Sequence, residues 1–392
     1  MSAVPSDTFC IYPWIHLYVN PDGSALPCCV ADHHQHMGNV RTHTIKEVWN
    51  SEQYKNMRLN MLDGKKCSEC KGCYSNEEKG LLSTRQNVND RYNQHIHLAD
   101  LTNEDGSLDE MHLRHFDVRW SNICNFKCRS CSHTYSSSWA KEDGLDNIYI
   151  FAGGNSNDIL YDQFEPYFKN IETFYFAGGE PLLTDKHYEI LEYLIDNNKT
   201  DVLLDYNTNL SKLTYKNKNI LDLWKKFKNV KVHASIDSYG DRAEYIREGT
   251  NWDTVKSNLL TVKEATPHVQ LHTGSVISAF NLFTIPEFLD EMKSIFGNNY
   301  SPFFYTIINP DYYSADVLDD SFKNLLLKKL MDYQPFNTGV QLELEKVIQY
   351  IKKSNYNEQL KETFIQHNLH YDEKRGRNFA ETFPELEWIM YG

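Results

Sequence analysis

The chain has 392 residues, 41% of them hydrophobic, and a formal net charge of −14; this length admits two or three domains and this composition a real core. The acidic balance disfavours a broad footprint on nucleic acid, which draws its affinity from clustered Lys and Arg, and leaves open only a local basic patch such as Lys65-Lys66. No run of about 18 apolar residues occurs, and the opening Met1-Ser2-Ala3-Val4-Pro5-Ser6-Asp7 has no basic and apolar leader, so a cytoplasmic chain without membrane spans is expected. Nine cysteines in such a chain read as metal ligands or catalytic thiols before they read as disulfides.

In chain order, His16 to Asn20 and Ala25 to Cys29 flank the turn signal Pro21-Asp22-Gly23-Ser24, which predicts a hairpin. Thr44-Ile45-Lys46-Glu47 has the capping-box pattern and predicts a helix through Val48, Trp49, Tyr54 and Met57 that stops at Gly64. Cys67-Ser68-Glu69-Cys70-Lys71-Gly72-Cys73 follows. Six cysteines therefore sit at hairpin ends and just past a helix, where a compact fold brings them together around a metal. A structural zinc site suits such Cys-rich loops and stays open on the residues alone.

The order Cys10-x12-Gly23-x4-Cys28, Gly38-Asn39-Val40, Trp49-Asn50 and the late cysteine cluster is similar to the SPASM and twitch domains, which bind auxiliary iron–sulfur clusters. A full two-cluster SPASM domain uses seven cysteines and this stretch has six. The resemblance therefore implies one twitch-type cluster held by Cys10, Cys28, Cys70 and Cys73, with Cys29 and Cys67 left over. It covers residues 1–98, ahead of the catalytic core, whereas in those families the domain usually follows it.

Asp100 to Glu110 is polar and acidic without a periodic apolar face, and reads as a linker. Beyond it strands near 113–120, 171–177, 201–207, 230–237, 269–277 and 302–308 alternate with helical runs such as His187 to Asn197, which implies a parallel α/β sheet. The first strand leads into Cys124-Asn125-Phe126-Lys127-Cys128-Arg129-Ser130-Cys131. Protein-held iron–sulfur cubes normally take four cysteines, so three thiolates at spacing C-x3-C-x2-C leave one iron open to an outside ligand. A half zinc site is the alternative, with its fourth ligand from elsewhere. The loop resembles the hallmark of the radical S-adenosylmethionine (SAM) superfamily, in which SAM chelates the open iron and one electron cleaves it to a 5'-deoxyadenosyl radical.

The second strand ends in Ala177-Gly178-Gly179-Glu180-Pro181, where glycines let the backbone approach a ligand and Glu180 adds negative charge. One strand after the cysteine loop, Gly178, Gly179, Glu180 and Pro181 match the family motif that holds the SAM amino group. Asn207 ends the third strand and Ser235-Ile236-Asp237 the fourth; each also suits a polar strand end or helix cap. By the resemblance these positions face the cofactor: Ser235 and Arg247 as the pair on the SAM carboxylate, with Asp237, Asn207 and Phe126 as further contacts. Ile277, at the fifth strand end, falls in the segment that resembles the adenine-proximal one.

From about residue 316 the chain reads as helices, with Leu325, Leu326, Leu327, Leu330 and Met331 in one and Leu342, Leu344, Val347, Ile348 and Ile351 in the next. The polar stretch His370 to Asn378 either closes over a substrate or is a solvated charged turn. The expected fold is α/β: a partial (β/α)6 radical SAM barrel over 108–315, a small N-terminal α+β cluster-binding domain over 1–98 and a helical C-terminal extension over 316–392. The expected function is SAM cleavage and hydrogen abstraction for peptide or protein modification, or for dehydrogenation. Alternatives are an epimerase, whose thiol hydrogen donor would be Cys29 or Cys67, a small-molecule oxidoreductase, and a non-catalytic iron–sulfur or zinc-binding interaction protein. The cofactors implied are a SAM-binding [4Fe–4S] cluster, SAM and an auxiliary cluster. Partners implied are a peptide, protein or small-molecule substrate and an electron donor such as flavodoxin or ferredoxin.

Overall fold

The turn at Asp22-Gly23 sets the first ladder. Gly23 adopts φ +84°, a left-handed conformation natural to glycine, and Asp22 Oδ1 accepts from both the Ser24 N–H and its hydroxyl. His16–Val19 and Ser24–Leu26 pair antiparallel with Tyr18 opposite Leu26, and Gly38–Asn39 adds a third short strand that the sequence pattern does not announce. In this computed structural model, which describes residues 4–78, 80, 82–145 and 155–391, His16–Val19 also pairs in parallel with His115–Val118. That strand pairs in turn with Thr173–Phe176. One compact unit (1–123, 145–205 and 226–229) therefore holds the N-terminal hairpin and the strand that leads to the cysteine loop.

Along His115–Val118 the two faces differ. Phe116 packs edge-on against Phe164 and Phe168 and tilts onto Phe174. The other face carries His115 and Asp117, both buried. Parallel strands covered on both faces usually read as continuous apolar runs, so a polar face on this strand departs from that rule.

The capping box at Thr44 forms, but the predicted single helix is two. Ile45–Trp49 ends at Asn50, and Ser51 caps a new helix, Glu52–Leu62. The break has a cause: Asn50 Nδ2 donates to Leu108 O at 2.8 Å and its Oδ1 accepts from Leu108 N at 3.0 Å. The stretch expected to be a linker is likewise held down. Arg58, fully buried, donates to Pro13 O, Trp49 O and Gly106 O, with its guanidinium over the Trp49 ring. Gly106, at φ +85°, passes so close that a Cβ there would lie 2.4 Å from Lys55 O.

The second unit comprises 124–144, 206–225 and 230–392. Its parallel strands Asn229–Ser235, Gln270–Ile277 and Phe303–Thr306 register with Lys231 opposite Gln270 and Gly274 opposite Phe303. Gly240–Ile246, Trp252–Ala265 and Ile285–Phe296 are the intervening helices. The expected α/β alternation with a parallel sheet is present. Leu203–Thr208 belongs to the first unit by its first three residues and to the second by its last three.

The C-terminal region is helical: Asp320–Asp332, Thr338–Lys353 and Glu358–Arg375. Leu326 and Leu330 are buried, while Leu325 and Met331 are more than half exposed, so only part of the leucine run faces the core. Among the described residues no helix is long and apolar enough to cross a membrane.

Candidate metal centres and cofactor site

Within the second unit the loop Cys124 to Cys131 is fixed largely through its backbone. Cys124 N donates to Ser137 Oγ, Ser138 Oγ donates to Cys124 O, and Ser136 Oγ donates to Phe126 O. Trp139 Nε1 donates to Cys128 O at 2.8 Å and Cys131 N donates to the same carbonyl at 3.0 Å. Lys127–Cys128 pairs antiparallel with Arg247–Glu248, and Gly249 makes room: a Cβ there would meet Asn125 O at 2.7 Å. All nine cysteines are free of disulfides.

Arg247 Nη1 reaches Cys128 Sγ at 3.8 Å while Nη2 and Nε hold Asp237 Oδ1 and Oδ2 at 2.9 and 2.8 Å. Burial pushes the Cys128 thiol up and Arg247 opposes it; burial and Cys128 push Cys131 up to about 12. For Arg247 burial works against the charge, and Asp237 and the Cys128 thiolate more than offset it. A cationic group fixed beside a thiolate favours the deprotonated form that a metal needs.

Asp237, 3% exposed, also accepts from Val276 N at 2.7 Å, and Asn281 Nδ2 donates to both Asp237 O and Val276 O. Its carboxylate is thus an anchor between strand ends. Phe126, Ser235, Asp237 and Arg247 line one small cavity with Asn209, Ile236, Ala243, Thr250, Trp252 and Val255. Of the other expected contacts, Asn207 is exposed at the end of its strand and Ile277 is buried, 1% exposed.

Sequence reasoning missed Asn281 and the contact that Asn209 makes, and it missed what holds the loop's two cations. Asn209 Nδ2 donates to Asn125 Oδ1 at 3.0 Å. Lys127 pairs with Glu142 and Arg129 with Asp372. The signal was available: two cations between cysteines in a buried loop require acids from elsewhere in the chain.

In the first unit Thr173–Phe176 ends at the double glycine. Gly178 has φ +124°, and a Cβ on Gly179 would stand 2.2 Å from Ile123 O, the residue before Cys124. Glu180 N donates to that same carbonyl at 2.7 Å. The Glu180 side chain is 2% exposed and accepts from Leu182 N at 3.1 Å, capping the turn at Pro181–Leu183.

The remaining cysteines gather in the same unit. Burial raises the Cys10, Cys28 and Cys70 thiols, and the negative charges of neighbouring thiolates raise them further; all six pairings among Cys10, Cys28, Cys70 and Cys73 contribute. An iron–sulfur core would relieve such repulsion, which also reaches Cys28 from Cys29 and Cys70 from Cys67. Cys67 Sγ turns to Met57 O and Cys29 is exposed. Among the described residues no three His, Cys, Asp or Glu side chains are disposed to hold a single metal ion.

Comparison with known proteins gives two family matches: an iron–sulfur cluster-binding domain, SPASM, over residues 10–74, and the radical SAM superfamily over 118–295. No curated protein matches the chain. Among solved structures, it is similar to histidine-tagged anSMEcpe with bound AdoMet, at 18% identity and a TM-score of 0.40, over 55% of this chain and 56% of that one. Native anSMEcpe with bound AdoMet and Cp18Cys peptide gives 16% identity and 0.39, over 54% and 57%. TYW1 with a lysine-pyruvate adduct bound gives 15% and 0.31, over 55% and 70%. The chain thus spans little more than half the length of the anSMEcpe structures it matches. The cofactors that go with the two domains are a [4Fe–4S] cluster with SAM and auxiliary iron–sulfur. The cysteine loop lies inside the stretch that matches the radical SAM superfamily, and the six other cysteines lie inside the stretch on its N-terminal side that matches the SPASM domain.

Proposed function

We propose that this protein uses SAM-dependent radical chemistry to abstract a hydrogen atom from a peptide, protein or small-molecule substrate, in modification or dehydrogenation. When bound, the cluster and SAM supply one electron and a 5'-deoxyadenosyl radical. Cys124, Cys128 and Cys131 are assigned to the cluster. Gly178, Gly179, Glu180 and Pro181, with Asn207, Phe126, Ser235, Asp237, Arg247 and Ile277, are assigned to SAM. Cys10, Cys28, Cys70 and Cys73 are assigned to the auxiliary cluster.

The observation that carries this reading is the loop itself, three thiols on a backbone fixed at every turn, with Arg247 set against Cys128 Sγ. The protein's part is orientation: holding a substrate C–H against the radical carbon in a dry site. Anaerobic protein, reduced with dithionite and given SAM, should release 5'-deoxyadenosine, and Cys128→Ala should abolish it. Equal release by that variant would overturn the assignment.

A second reading, epimerisation, draws support from Cys29. Cys29 is an exposed residue within electrostatic reach of the buried Asp117–Arg119 pair, with local burial pushing its thiol up to about 11, whereas Cys67 is a buried residue. A thiol there returns a hydrogen atom to a substrate radical, and the thiyl left behind takes up one electron from the external reductant and one proton from solvent. Deuterium from solvent in the product, lost in Cys29→Ala, would favour this reading over dehydrogenation.

A further inference from the structure

The polar stretch His370 to Asn378 is the end of the helix Glu358–Arg375 and its C-cap, and its Asp372, Lys374 and Arg375 pair with the cysteine loop and the segment after it. Arg129, between Cys128 and Cys131, is completely buried. Its Nη2 donates to Asp372 Oδ1 and its Nη1 donates to Asn368 Oδ1 at 3.0 Å, while its guanidinium lies over the Tyr245 ring at 4.0 Å. Tyr245 OH donates to the same Asp372 Oδ1 at 2.7 Å, and the other carboxylate oxygen accepts from Phe379 N at 2.7 Å. Arg375, its side chain 1% exposed, holds Glu142, which also binds Lys127 from inside the loop. Lys374 pairs with Asp143 and Arg377 with Glu248, the residue registered opposite Lys127.

A buried ion pair is a poor source of net stability, because the desolvation of both charges is nearly as large as their attraction. Two contacts from one helix, Asp372 directly on Arg129 and Arg375 on the Glu142 that holds Lys127, call for another account. We propose that Arg129 and Asp372 are positioning residues for the cluster: the C-terminal helix supplies the counter-charge that fixes the loop and sets the electrostatic environment in which the cluster accepts its electron. This rests on the assignment of Cys124, Cys128 and Cys131 to the cluster.

The sign of the effect follows from charge. Reduction adds an electron, so removing the negative charge of Asp372 leaves Arg129 uncompensated and stabilises the reduced state. Removing Arg129 does the reverse.

The test is an EPR-monitored redox titration of the reconstituted full chain, following the signal that changes on adding SAM. Asp372→Asn should move its midpoint potential to more positive values and Arg129→Gln to more negative ones, at unchanged iron content. The double variant should return toward the parent, as coupled partners do. Unchanged potentials, or shifts of one sign in both variants, would overturn the proposal, since mere loosening of the loop has no reason to reverse sign. Should the charge variants fail to fold, Tyr245→Phe keeps both charges and removes one hydrogen bond to Asp372. It should release iron to a chelator several-fold faster than the parent, and an unchanged rate would count against the proposal. Absence of any SAM-responsive signal in the parent would instead reject the cluster assignment.

Discussion

At the scale of single residues, Gly179 and Glu180 belong to one motif but have separable roles. Gly179 packs on Ile123 O with no room for a Cβ, so Gly179→Ala must displace the backbone entering the cysteine loop. We expect that variant to lose iron from the loop cluster. Glu180→Gln keeps an oxygen to cap Leu182 N and should keep its iron while binding SAM more weakly. Iron analysis with equilibrium SAM binding on both variants checks this; equal iron in both would show that the close approach at Ile123 is not needed. What the sequence conveyed here was the motif. What it concealed was the contact, because a glycine's spelling says that space is needed and not whose backbone needs it.

Among elements, the clearest lesson concerns residues 100–110. Composition alone reads them as a linker, yet Leu108 is buried and Arg58 and Asn50 bond the segment's backbone. Polar composition on a docked loop looks like polar composition on a free one, since the bonds are made by partners about fifty residues away. Gly106→Ala, with positive φ and a clash against Lys55 O, should lower stability by roughly 2 kcal/mol or more. Ser51→Ala, which removes only a cap, should cost about 1 kcal/mol. Urea unfolding ranks the two, and the reverse order would mean that the segment is not held. The two-helix break at Asn50 was hidden for the same reason. The capping box at Thr44 was legible because both of its partners lie within four residues. Helix and strand alternation was legible too, being a local pattern, whereas the bonds from Asp372 to Arg129 and from Arg375 to Glu142, each spanning more than 230 residues, were not.

For the whole molecule, buried neutral histidines set the response to acid. Burial lowers His16 to about 4 and His187 to about 3. Their folded pKa values lie below the unfolded one, so the unfolded chain binds more protons and stability falls as pH drops from about 6.5 toward these values. Each accounts for roughly 3 to 5 kcal/mol at the acid limit. His187 meets the Phe176 and Tyr188 rings edge-on, and His187→Phe should flatten the fall in Tm between pH 6.5 and 4; an unchanged slope would show that folded His187 takes up its proton as readily as the unfolded chain does. The central claim, that the three-cysteine loop carries a cluster with an iron open to SAM, is tested most directly by the EPR spectrum of the reduced, reconstituted protein before and after SAM is added. The account predicts that SAM changes the signal in the parent and that both signal and change vanish in Cys124→Ala, while the auxiliary signal persists. A spectrum indifferent to SAM, or one that Cys124→Ala leaves intact, would contradict it.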